Sequence, residues 1–96
     1  MSLQTFVRFD ANPASLDRLR NALLAVIPPT RAEPGCLDIH VFEETSGSGT
    51  FFIHSHWKDE AAFDTHARLP HTQRFRELAD TLVTNAIKAV RTHQII

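Results

Sequence analysis

Residues 36–44 and 51–57 alternate side chains of two kinds on either side of Ser46-Gly47-Ser48-Gly49. A period of two interrupted by a short glycine-containing turn predicts a β-hairpin. Leu37, Ile39, Val41, Phe51, Ile53, Ser55 and Trp57 fall on one side; Asp38, His40, Phe42, Phe52, His54 and His56 fall on the other. The first side is the more cleanly apolar, which assigns it to the core beneath the helices.

The flanking segments fix what joins this hairpin. Residues 3–9 are rich in β-formers and predict a first strand. Asn12-Pro13 reads as a helix start, with Leu16, Leu19, Leu23 and Val26 or Ile27 at helical spacing, and Pro28-Pro29 is expected to disturb that helix. Asp59 is the expected cap of a helix to about Arg68. Pro70 starts another, with Phe75, Leu78 and Leu82 as its apolar stripe, and a last strand fits Ile87, Val90 and Ile95. The order β-α-β-β-α-α-β is a split β-α-β pattern. It predicts an α+β, ferredoxin-like fold with helices on one face of a four-stranded antiparallel sheet. The other sheet face then carries Phe6, Phe42 and Phe52 among Arg8, His40, His54 and His56. Three phenylalanines on a solvated face call for a cover, and a second copy of the same sheet supplies one, so a homodimer is expected.

Composition narrows the function. A chain of 96 residues predicts a single domain over 1–96. Ten basic and eleven acidic side chains nearly cancel and no basic run occurs, which argues against nucleic acid or an anionic membrane as partner. The apolar runs are too short to span a bilayer and no charged-then-apolar leader opens the chain. A lone cysteine, Cys36, excludes an intrachain disulfide and suits a reducing cytoplasm. With three glycines, of which only Gly47 and Gly49 are close together, no nucleotide-binding loop exists, and neither a flavin nor a nicotinamide cofactor is expected.

Chemistry concentrates between residues 51 and 75. Trp57 closes a strand and His66 lies on the following helix, one turn before Pro70-His71, so indole and imidazole converge on one pocket. An imidazole titrating near neutrality suits abstraction of a phenol or enol proton, which makes His66 the candidate base. Trp57 is a candidate wall for a planar substrate or a core tryptophan, with Ser55 beside it on the same strand face. His71 and Arg31 are further candidates for binding the substrate, Arg31 for an anionic one; Gly35 after Pro34 reads as backbone geometry. His40, His54 and His56 share a strand face, but no carboxylate or cysteine completes a ligand set, and no metal is assigned.

Arg31-Ala32-Glu33-Pro34-Gly35-Cys36-Leu37, Trp57-Lys58-Asp59-Glu60-Ala61-Ala62-Phe63, His66, Pro70-His71 and Phe75 together closely resemble the antibiotic biosynthesis monooxygenase family. The resemblance implies a dimeric α+β barrel of two ferredoxin-like subunits packed sheet to sheet. It also implies cofactor-independent oxygenation of a small phenol, quinol or polyketide-like substrate, with a small-molecule isomerase or a non-catalytic metabolite-binding dimer as the alternative. Ser55 stands where relatives often carry a glutamate. The haem-degrading branch uses an Asn, a Trp and a His. No Asn lies among the first-strand residues, His66 stands at its Trp position and Arg76 near its His, so haem degradation is not expected.

Overall fold

In a computed structural model, which describes residues 2–96, the chain forms four strands and three α-helices. Strand β1 (Leu3–Asp10) is followed by one 3-10 turn at Pro13–Ser15 and helix α1 (Leu16–Arg31). Strands β2 (Cys36–Glu43) and β3 (Thr50–Trp57) form the hairpin, then come α2 (Glu60–Arg68), α3 (Pro70–Asp80) and β4 (Ala89–Thr92). The sheet order is β2-β3-β1-β4 and every pairing is antiparallel, which is the ferredoxin-like arrangement. Phe9, Leu19, Leu23, Ile39, Phe51 and Ile53 pack the core between sheet and helices. No helix among the described residues is long and apolar enough to cross a membrane.

Local chemistry explains most boundaries. Gly47 and Gly49 adopt φ of 72° and 90°, a region that side chains avoid, and so turn the chain between β2 and β3. The Asp59 carboxylate accepts the Ala62 N–H at 2.8 Å and starts α2. Pro70 sits at the start of α3, where its missing N–H has no intrahelical role.

Four expectations need correction. Pro28 and Pro29 do not break α1, which runs on to Arg31. The carbonyls that lose a donor belong to Leu24 and Ala25, both on the exposed side of the helix, where they are open to solvent. The last turn is held by Thr30 Oγ1 donating to the Val26 carbonyl at 2.7 Å and by Ala32 N–H donating to the Pro28 carbonyl at 3.2 Å. Leu37 does not lie under the helices. The register shifts between Cys36 and Asp38, so Leu37 is the extra residue of a bulge and is exposed. The buried stripe of α3 runs through Thr72, Phe75 and Ala79 to Leu82, while Leu78 faces out. The last strand is only Ala89–Thr92: Ile87 packs against the core before it, and Ile95 is exposed beyond it.

The outward sheet face is as apolar as the alternation implied. Phe6, Phe42, Phe52 and Val90 retain 49%, 53%, 39% and 51% of their surface. Along the hairpin His40 lies across from His54, and Asp38 across from His56.

Candidate functional site

The β1–β3 register sets one wall of the site, with Thr5 beside Ser55 and Leu3 beside Trp57. The Thr5 and Ser55 hydroxyls are hydrogen-bonded to each other, and the Trp57 indole N–H donates to Ser55 Oγ at 2.9 Å. Ser55 is thus a buried junction between indole and hydroxyl, where a glutamate carboxylate would instead project charge.

Helix α2 sets the opposite wall. Phe63 and His66, three residues apart, share one helix face. The His66 ring lies 4.7 Å from that of Trp57 and 5.6 Å from that of Phe63. Leu69 is extended, as a residue before proline tends to be, so α3 starts afresh and places His71 and Thr72 in its first turn. The third contribution is the turn between α1 and β2. There the Gly35 carbonyl accepts the Lys58 N–H at 3.0 Å. A Cβ at Gly35 would stand 2.4 Å from that of Ala62, so the glycine is required by close approach to α2, and not by a left-handed φ.

That approach delivers Glu33. Its Oε2 lies 2.8 Å from His66 Nδ1 and 2.8 Å from His71 Nε2. An ionised carboxylate only accepts, so each of these nitrogens carries the proton. His66 therefore presents Nε2 with a free lone pair, the tautomer a general base requires. Thr72 Oγ1, 3.2 Å from His66 Nδ1, adds a second polar neighbour on the same side of the ring. Burial pushes the His66 pKa below its ordinary value; Glu33 pulls it upward but does not prevail.

His66 and Ser55 open onto a cavity of about 290 Å³ between sheet and helices. Its walls are chiefly apolar, from Val7, Ile53, Phe63, Phe75 and Ile87 among others. Thr5, Thr30 and Thr72 add hydroxyls, and Arg76 and Arg91 stand at its polar side. Arg91 is paired with Asp64 at 2.7 Å and Glu60 at 3.4 Å, whereas Arg76 makes no ion pair with any described residue.

The structure thus joins Trp57, Ser55, His66 and His71 in one cluster. Trp57 is fully buried and not on the cavity wall, and His71 does not line the cavity either but reaches Glu33. Arg31 is elsewhere: its guanidinium donates to the Ile39 carbonyl at 2.9 Å, beside a surface groove with Leu24 and His40. Glu33, Thr5 and Thr72 are the members that sequence reasoning missed. Glu33 lies 33 and 38 positions from its histidine partners, so no local spacing reveals the pairing. Among the described residues, His40, His54 and His56 do not bring their nitrogens into joint ligand range; Glu33, His66 and His71 do, within 4.8 Å of one another.

These features define a ferredoxin-like α+β protein with a carboxylate-oriented imidazole facing an apolar cavity. The chain belongs to the antibiotic biosynthesis monooxygenase family, whose model matches residues 5–78. Rv0793 of Mycobacterium tuberculosis, provisionally named a monooxygenase, is 32% identical over 80 residues, covering 83% of this chain and 78% of that protein. YcnE of Bacillus subtilis, provisionally named likewise, is 28% identical over 90 residues, covering 94% of this chain and 93% of that protein. The solved structure of Rv0793 superimposes with a TM-score of 0.94 at 26% identity, over 100% of this chain and 97% of that one. PA3566 of Pseudomonas aeruginosa gives 0.90 at 27%, over 99% and 95%. Family and relatives support a monooxygenase-like role.

Proposed function

We propose that the chain is a cofactor-independent monooxygenase of a small phenol, quinol or polyketide-like aromatic, with His66 as the catalytic base. The observation that carries this reading is the Glu33–His66 pair beside an apolar cavity that His66 lines: with Nδ1 engaged by Glu33, Nε2 is the ring nitrogen left to take a proton. His66 Nε2 takes a proton from the substrate, and Glu33 stabilises the imidazolium and holds the ring, as a positioning residue. The substrate anion gives one electron to O₂, and the radical pair recombines as a C–O bond to a peroxide. The imidazolium returns its proton to the peroxide, and loss of water leaves the quinone. One O₂ is consumed, two substrate hydrogens and one oxygen atom leave as water, and the other oxygen atom stays in the product. The protein contributes desolvation, position and the base.

An oxygen electrode tests this. Chain treated with chelator is expected to consume one O₂ per quinone formed from an anthrone or quinol, without added flavin or metal. One observation favours a second reading. Arg76, unpaired at the cavity, suits a carboxylated or phosphorylated metabolite bound or isomerised without oxidation. Tight binding of such a ligand with no O₂ uptake by any phenol, quinol or anthrone would select that reading.

The same proposal includes assembly. The exposed Phe6, Phe42, Phe52 and Val90 surface is read as the contact with a second copy, burying on the order of 1,600 Å² or more. Arg8 stands 5.9 Å from the Phe52 ring centre, so Phe52→Asp gains a cationic neighbour in the monomer but puts charge into the interface. Light scattering is expected to give a dimer for the wild type and a folded monomer for Phe52→Asp at micromolar concentration. A monomeric wild type would sink the assembly. Burial pushes the Cys36 thiol pKa up, which disfavours the thiolate, and a lone cysteine suits the cytoplasmic setting we assign.

A further inference from the structure

We propose that Glu33, His66 and His71 bind one divalent transition cation of the zinc type, and that the bound cation converts His66 from proton acceptor to proton donor at the cavity. The binding stands on ligand geometry and charge; the conversion rests on the general-base reading above.

The three donors come from three elements: the turn after α1, helix α2 and the first turn of α3. Two imidazoles and one carboxylate form a donor set that borderline cations favour. Both ring nitrogens point at the same carboxylate oxygen at 2.8 Å, so their directions converge on one position. All three ligand atoms lie within 4.8 Å of one another. Bonds of about 2.1 Å put tetrahedral ligands roughly 3.4 Å apart, so no pair must close by more than about 1.4 Å. Rotation of the Glu33 side chain makes room for the ion while keeping the ring directions. Side-chain exposures of 9%, 14% and 21% for Glu33, His66 and His71 leave the cluster ordered yet reachable.

Charge points the same way. The nearly buried Glu33 carboxylate has no Lys or Arg partner among the described residues, since Arg31 is directed to the Ile39 carbonyl. Its hydrogen-bond partners are imidazoles alone, and a cation would compensate it.

The consequence for His66 is a proton relocation. A cation takes the lone pair of Nδ1, so the ring proton moves to Nε2. His71 shifts its proton from Nε2 to Nδ1 in the same way. No net proton is released and no electron moves. With Nε2 protonated, His66 donates a hydrogen bond into the cavity and no longer accepts a substrate proton. Of the three ligands only His66 lines the cavity, so the cation acts on the cavity through that ring.

Zinc chloride titrated into chelator-stripped chain, against a chromophoric chelator, is expected to show one zinc per chain. Glu33→Gln and His71→Gln should each weaken it at least about tenfold, while a variant with His40, His54 and His56 all changed to Gln keeps wild-type affinity. Nitrogen NMR of the wild-type imidazoles is a readout that needs no variant to fold. The His66 proton should sit on Nδ1 without zinc and on Nε2 with it. Absent zinc uptake, or uptake that survives loss of Glu33 and His71 together, overturns the site. Uptake that leaves the His66 proton on Nδ1, or leaves quinol oxidation undiminished, overturns the conversion. The base reading itself is decided separately, by zinc-free oxidation in the wild type and His66→Ala.

Discussion

His66→Ala is expected to lower kcat for a quinol or anthrone about 10²–10⁴-fold, the usual contribution of a positioned base. KM should change far less, because a base acts mainly in the transition state. The side chain is 14% exposed and lies outside the hydrophobic core cluster, so the fold should survive the truncation. Glu33→Gln keeps a hydrogen-bonding side chain but removes the charge that fixes the His66 tautomer, so its kcat should fall between wild type and His66→Ala. The double variant should be no slower than His66→Ala alone, since Glu33 acts only through the ring. Single-turnover kinetics under saturating O₂ check all three. Full turnover by His66→Ala would remove the base. A further loss in the double variant would give Glu33 a role independent of His66.

Trp57→Ala should produce the largest loss of stability of any single change at the site. The side chain is fully buried, packs edge-on to Phe63 at 5.7 Å and gives its N–H to Ser55. Truncating a buried tryptophan costs about 3–5 kcal/mol, and in a domain of this size each kcal/mol shifts Tm by about 4–8 °C. Thermal melts should therefore fall by at least roughly 12 °C. Trp57→Phe separates packing from recognition. It keeps most of the apolar volume, loses one buried hydrogen bond worth about 1 kcal/mol, and should leave KM unchanged, because the indole is not on the cavity wall. A large rise in KM in folded Trp57→Phe would instead place the ring against substrate.

How much of this was legible in the sequence depends on distance along the chain. Asp59, Pro70 and the glycines of the hairpin turn signalled their elements because capping and turn chemistry act over a few residues. The alternation at Phe51, Ile53, Ser55 and Trp57 assigned one face to the core, and all four are buried. Leu37 failed because a bulge changes the alternation without any local mark, and Pro28-Pro29 because the lost bonds face water. Trp57 and His66 lie side by side, since a short step from strand end to helix leaves little freedom, but only His66 lines the cavity.

The β-α-β-β-α-α-β order, the apolar sheet face left uncovered and the histidine next to the strand-end tryptophan could all be read from the order of residues. These follow from periodicity, caps and turns, whose free energies are set by neighbours in the chain. Packing of distant segments was needed to show that Glu33 holds both His66 and His71, that Thr5 meets Ser55, that Trp57 is off the cavity wall and that Arg31 is directed to the Ile39 carbonyl. The reason is close packing. Gly35 admits the α1–β2 turn against Ala62, and that one contact carries a carboxylate across the fold to two imidazoles that no spacing in the chain connects to it.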